Sequence, residues 1–172
     1  MSALRNIRMH TRYTAWANNR IFDVLAQLPD GEAIKSRQTF FGNMVHTLNH
    51  AYAADLIWKA HLLGQPHGFT SRNTETTPEL AILRENQATI DDWYINYADE
   101  LSTKLHDELV SFNFVDGEAG VLTRGDILLH AVNHKTFHRG FVVDMLYQVP
   151  VSPPSTDLPV FLRDVPGWYT KL

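Results

Sequence analysis

The sequence has no cysteine. Disulfides, zinc–thiolate centres and a cysteine nucleophile are therefore excluded. Any thiol chemistry would have to use a small-molecule thiol. The missing disulfides fit a reducing compartment. No apolar run reaches the roughly 20 residues that a membrane-spanning helix needs, and no signal-peptide pattern precedes the first helical segment. A basic block is also lacking: 15 Lys and Arg stand against 19 Asp and Glu, for a net charge of −4. That balance argues against nucleic acid as a partner. Internal repeats and low-complexity stretches are absent too. The expectation is a cytoplasmic protein that engages neither membrane nor nucleic acid. What is present is a chain of 172 residues, 44% hydrophobic and 20% charged, enough for one globular domain over residues 1–172 with a real core. Nine histidines are many for this length.

Apolar residues at helical spacing predict a first helix over residues 3–28, with Tyr13 and Trp16 as core fillers and Pro29-Asp30-Gly31 as its stop. A second helix is expected over 41–63, ended by Gly64-Gln65-Pro66. The polar stretch that follows is long enough for a crossover. Pro78 suits the first position of a third helix, expected to run to residue 110. Residues 111–122, around Asp116-Gly117, read as a short hairpin or extended loop. Thr123 then caps a fourth helix over 123–148, with Asp126 as the return half of an imperfect capping box. A proline-rich but apolar tail should pack across the bundle, with a helical turn or two at residues 158–164. The fold class is all-α: a four-helix bundle with a crossover connection, a hairpin before the last helix and a docked tail.

The chemistry concentrates in histidines four residues apart, which share a helix face. On helix four, His130, His134 and His138 fall in the same stripe as Ile127, Ala131 and Met145; on helix two, His46 and His50 form a similar pair. A single buried histidine is ordinarily one satisfied by a hydrogen bond. A pair one turn apart can instead grip a metal, and a third imidazole from a facing helix would complete a three-histidine face. Such a face leaves coordination positions open, as in catalytic sites. Imidazole suits zinc, nickel, iron or copper, and the lack of an obvious carboxylate cluster argues against magnesium or calcium. Spacing alone permits either His46 or His50 as the third ligand. His61, His67 and His106 are expected to face solvent. Asn49 and Asn133 precede ligand positions and should point elsewhere. Arg139 should reach a neighbouring helix or subunit, and Gly140 could allow close helix approach.

The segments YTAWAN in helix one, LNHAYAADLIW in helix two and HAVNHKTFHRG in helix four resemble the DinB-like family, four-helix-bundle proteins associated with metal sites. The resemblance covers nearly the whole chain. It places the family's metal triad on His50, His134 and His138, and Asp55 and Trp58 match the pattern after the first histidine. It implies a divalent metal, nickel or zinc, and a homodimer. Relatives of this fold include thiol-dependent S-transferases and a mycothiol-dependent isomerase. The expected function is thus a metal-dependent enzyme on a small-molecule substrate, either an S-transferase with a low-molecular-weight thiol cosubstrate or a hydrolase. His46 and His130 are the candidates for a catalytic acid or base. A non-catalytic metal-binding stress-response protein, or a bundle whose histidines are merely structural, are the alternatives; an open pocket beside the triad would favour the enzyme.

Overall fold

The computed structural model describes residues 3–169. Four long helices dominate: α1 (Ala3–Leu25), α2 (Met44–Leu62), α3 (Leu80–Glu100) and α5 (Arg124–Leu146). Between the last two come a single turn, α4 (Thr103–His106), and an antiparallel hairpin of β1 (Leu109–Asn113) and β2 (Ala119–Thr123). A short α6 (Leu158–Asp164) closes the chain. The fold is an all-α bundle with one small two-stranded ribbon.

Local chemistry sets the helix ends. Asn43 caps α2, its side chain accepting from the His46 N–H at 2.7 Å. Gly42, at φ 77°, turns the chain just before it. Helix two therefore starts three residues later than periodicity predicts, and Phe41 is left outside it. Thr123 and Asp126 form a complete capping box at α5. The third helix is shorter than expected. Leu101 is extended (ψ 126°) and Ser102 caps α4 by accepting from the Leu105 N–H. Residues 109 and 110 belong to the hairpin. Its register runs from Leu109↔Thr123 to Asn113↔Ala119, and the Phe112 ring lies across Gly120, which has no Cβ to obstruct it.

The core has three parts. One end of the bundle is filled by Ile7, Trp58, Leu62, Ile90, Tyr94, Ile127 and Leu128 together with Val110 and Phe112 of the hairpin. The other end holds Ile21, Phe22, Leu25, Met44, Val45, Leu48, Leu83, Val142, Met145 and Leu146. These memberships give the helix directions. α2 runs toward the hairpin end, and α3 starts again at the opposite end. The segment between them, residues 63–79, is the expected crossover, and it travels the length of the bundle over α2. The third cluster seats the tail: Phe161 and Trp168 pack on Met9, Tyr13 and Ala17 of α1. Tyr13 and Trp16 both meet the Phe161 ring, at 6.0 and 5.7 Å.

Candidate metal centre

At mid-height on the α2–α5 face, three imidazoles converge. His50 and His138 are buried and His134 is half-buried, and one ring nitrogen from each lies within 4.8 Å of the others. Ring centroids are 4.6 Å apart for His50–His138, 5.2 Å for His50–His134 and 4.3 Å for His134–His138. The Nε2 atoms of His134 and His138 are 3.0 Å apart. Two nitrogens each about 2.1 Å from one ion would be separated by roughly 3.0–3.4 Å, depending on the angle.

The crossover loop fixes the third imidazole. His50 Nδ1 lies 2.7 Å from the Arg72 carbonyl oxygen. A carbonyl only accepts, so Nδ1 carries the proton and Nε2 keeps its lone pair for a ligand. Asn49, the neighbour of His50, donates to Asn73 Oδ1 (2.5 Å) and Thr74 Oγ1 (2.7 Å), and Asn73 donates to the His46 carbonyl at 3.1 Å. These bonds lash the loop to α2. Phe41, freed from the helix, stacks on His50 at 4.5 Å and meets His138 edge-on at 5.2 Å.

Burial keeps these imidazoles neutral. Desolvation, and then the neighbouring histidines, lower His134 to about 2; the same forces lower His138 to about 4. His50 is lowered as well, mainly by burial. Neutral imidazole is the ligating form. Nδ1 of His134 and of His138 are buried with no hydrogen-bond partner among the described residues, while their Nε2 atoms face each other. The three-nitrogen set can hold a divalent metal ion.

His130 sits one turn from His134, their rings 5.5 Å apart, and 4.8 Å from Trp58. His46 is turned away toward the loop, its Nδ1 3.5 Å from Thr77 Oγ1. Beside the triad opens a cleft of about 590 Å³ whose walls include Ala54, Ile57, Trp58 and His61 of α2, Arg72 of the crossover loop, Phe114 to Asp116 of the hairpin turn, and His130 and His134 of α5. His130 is in that wall and His46 is not.

Several placements differ from expectation. His61 is buried, its ring 5.0 Å from Phe112, because the hairpin folds over the end of α2. His67 is half-buried and accepts from the Phe69 N–H at 2.9 Å. His106 is half-buried against Gly125, where an added Cβ would collide with its imidazole. Gly140 has nothing within 4 Å of an added Cβ, so it serves no close approach. Arg139 does reach a neighbouring helix: it donates to Asn18 Oδ1 at 3.0 Å, and its guanidinium lies over the Tyr13 ring.

Periodicity did not reveal the buried polar belt behind the triad. Lys135, next to His134, is ion-paired with Asp55 on α2. Gln87 donates to Asp55 (3.2 Å) and Asp91 (2.9 Å), and Asn18 donates to Asp91 at 2.8 Å. The Tyr94 hydroxyl donates to the Asp55 carbonyl at 2.8 Å. Desolvation, only partly offset by Lys135, pushes Asp55 up to about 6. The signal was present in the sequence: Lys135 lies three and four residues after the buried Val132 and Ala131. Arg72 and the hairpin turn left no comparable signal, since loop residues carry no period.

The profile described as DinB family matches residues 1–167. The chain is similar to Protein DinB of Bacillus subtilis (strain 168), with 26% identity over 163 residues that cover 87% of this chain and 90% of that protein.

Proposed function

This chain belongs to the DinB family, and from that premise we propose that His50, His134 and His138 bind one divalent metal ion, nickel or zinc, in an enzyme acting on a small molecule held in the adjoining cleft. The observation that carries the reading is the open cleft lined by His134 and His130 beside the three imidazoles. A concave space with convergent polar groups beside a metal face is where a small-molecule substrate would lie. When bound, the metal supplies a Lewis acid that lowers the pKa of a coordinated water or thiol.

The chain's own groups divide the remaining work. His50 is oriented by the Arg72 carbonyl. Phe41 shields the His50 and His138 rings and keeps water from that side. Burial lowers the pKa of His130, so it is a neutral base at pH 7, placed to take a proton from the nucleophile or return one to the leaving group. His46 faces Thr77 and is the weaker candidate. With no cysteine in the chain, a thiol substrate must be a low-molecular-weight cosubstrate. S-transfer and hydrolysis are the two reactions this face serves. We further propose that the whole chain acts as one domain, as a cytoplasmic homodimer; among the described helices none is long and apolar enough to cross a membrane.

The test is elemental analysis of protein purified without an affinity tag. Wild type should hold about one nickel or zinc per chain, and His50→Ala, His134→Ala and His138→Ala should hold none. His130→Asn should keep the metal and lose turnover, measured as conjugation of glutathione or cysteine to monochlorobimane and as hydrolysis of p-nitrophenyl acetate. Wild type without stoichiometric metal would reject the centre. Full metal with no turnover of either kind across a wide thiol panel would favour the non-catalytic alternative.

A further inference from the structure

Ten arginines occur in the chain, and nine of them have visible work. Arg8 binds backbone carbonyls, Arg12, Arg37, Arg84, Arg124 and Arg163 hold carboxylates, Arg20 lies on Trp16 and faces Asp164, Arg5 lies on Trp168, and Arg139 binds Asn18. Arg72 is the exception. Its side chain has no hydrogen-bond or ion-pair partner among the described residues, although 19 acidic residues were available to the chain.

Its backbone, by contrast, is held firmly. The Arg72 carbonyl accepts from His50 Nδ1, and Asn49 anchors the next two residues. The guanidinium is therefore attached to a fixed point beside the triad. It is the one permanently cationic group in the cleft wall. Arg72 and His134 of the triad line the same cleft. The lining also carries a single carboxylate, Asp116, the imidazoles of His61, His130 and His134, and an apolar set of Ala54, Ile57 and Trp58.

We propose that Arg72 is the specificity-determining residue of this cleft, binding a carboxylate on a substrate whose apolar body lies along Ala54, Ile57 and Trp58. The proposal rests on the reading of the cleft as the substrate site. Guanidinium matches carboxylate geometry with two parallel N–H donors. One cation facing one carboxylate suits a monoanion; a phosphate dianion would meet too little positive charge and the repulsion of Asp116. Because the residue that reads the substrate also orients His50 through its carbonyl, binding at the guanidinium holds the crossover loop over the triad.

The probe is phenylacetate, with phenylacetamide as its neutral counterpart. Binding of each is measured by calorimetry on full-length protein, both metal-free and nickel-loaded, with nickel content determined on the same samples. Charge-assisted hydrogen bonds predict that wild type prefers the carboxylate by roughly tenfold or more. Arg72→Gln should remove the preference while retaining nickel and binding the amide as before, and Arg72→Lys should keep part of it. The metal-free arm matters because carboxylate cannot there be held by the ion. An Arg72-dependent preference in metal-free protein supports the inference even if wild type proves unable to hold nickel, in which case the metal reading alone falls. Equal discrimination by Arg72→Gln and wild type, or no carboxylate preference in wild type, overturns the inference whatever the metal content.

Discussion

At the scale of single residues, a histidine ligates through one nitrogen only when the other nitrogen has taken the proton. His50 meets that condition through the Arg72 carbonyl. His134 and His138 are kept neutral by burial, which lowers them to about 2 and about 4, and their Nε2 atoms face each other at 3.0 Å. The sign follows directly. The unfolded chain takes up these protons near pH 6.5, while the folded protein refuses them until more acid is added. Stability carried by these groups is thus complete above about pH 6.5 and is lost as the pH falls, toward about 4 for His138 and about 2 for His134. Thermal melts of metal-free protein should show a decline across that window, and His138→Gln should flatten it. Metal should remain bound through about pH 6 and leave near 4; loss already at about pH 7, or full retention well below about 4, would contradict ligation by these imidazoles. The His134/His138 pair was legible from spacing alone. The choice of His50 over His46 was not, because both occupy one stripe; only the family resemblance separated them. The tertiary reason is a loop carbonyl from a residue 22 positions away, which no local pattern encodes.

At the scale of elements, α2 and α5 must stand level for His50 to meet the other two imidazoles. The Lys135–Asp55 ion pair, buried between these helices, fixes that level. Removing one partner of a buried pair typically costs about 3–5 kcal/mol, because a charge is left uncompensated. Lys135→Met should therefore lower the urea midpoint sharply, and Asp55→Asn in the same chain should restore much of it. The pH dependence gives a second check. Asp55 is already raised to about 6, and loss of Lys135 raises it further. A carboxylate raised above its unfolded value costs stability as the pH climbs past about 4. The deficit of Lys135→Met should accordingly be greatest at neutral pH and shrink toward pH about 4; a deficit independent of pH would show that Asp55 is not the cause. A third check concerns the hairpin. An added Cβ at Gly120 would lie 2.5 Å from Phe112 Cζ, and Phe112 packs on Trp58 and His61 in the cleft wall. Gly120→Ala should cost about 1–3 kcal/mol by overpacking and shift Trp58 emission, seen by comparison with the same change in a Trp58→Phe chain. Unchanged emission and stability would mean that Phe112 yields freely. Helix existence was readable here and boundaries were not. Helix three looked continuous to residue 110 because Leu101, Leu105 and Leu109 keep the spacing of the buried residues before them. The break comes from Ser102, which caps a new turn, and from the partner strand that captures residue 109.

At the scale of the whole molecule, the polar belt and the triad occupy the middle of the bundle while apolar clusters fill both ends. The apolar clusters then supply a core that needs no ion, unlike small metal domains that have no other core. Replacing all three triad histidines by alanine should leave the far-ultraviolet dichroism of the bundle in place while metal content falls to zero. The tail supplies the converse case. Phe161 is 1% exposed and packs between Tyr13 and Trp16 of α1, and neither α6 nor its cluster shares a residue with the cleft or the triad. Phe161→Ala leaves a cavity where an aromatic ring stood, at a cost of about 3–5 kcal/mol. The unfolding free energy from urea titration should drop by that amount, with metal content per folded chain unchanged from wild type. The two substitutions together would separate folding from metal binding: one removes the ion and spares the bundle, the other weakens the bundle and spares the ion. Loss of metal from folded Phe161→Ala protein would instead mean that the tail holds α1 in the position from which Asn18, through Arg139, steadies the helix that carries His134 and His138.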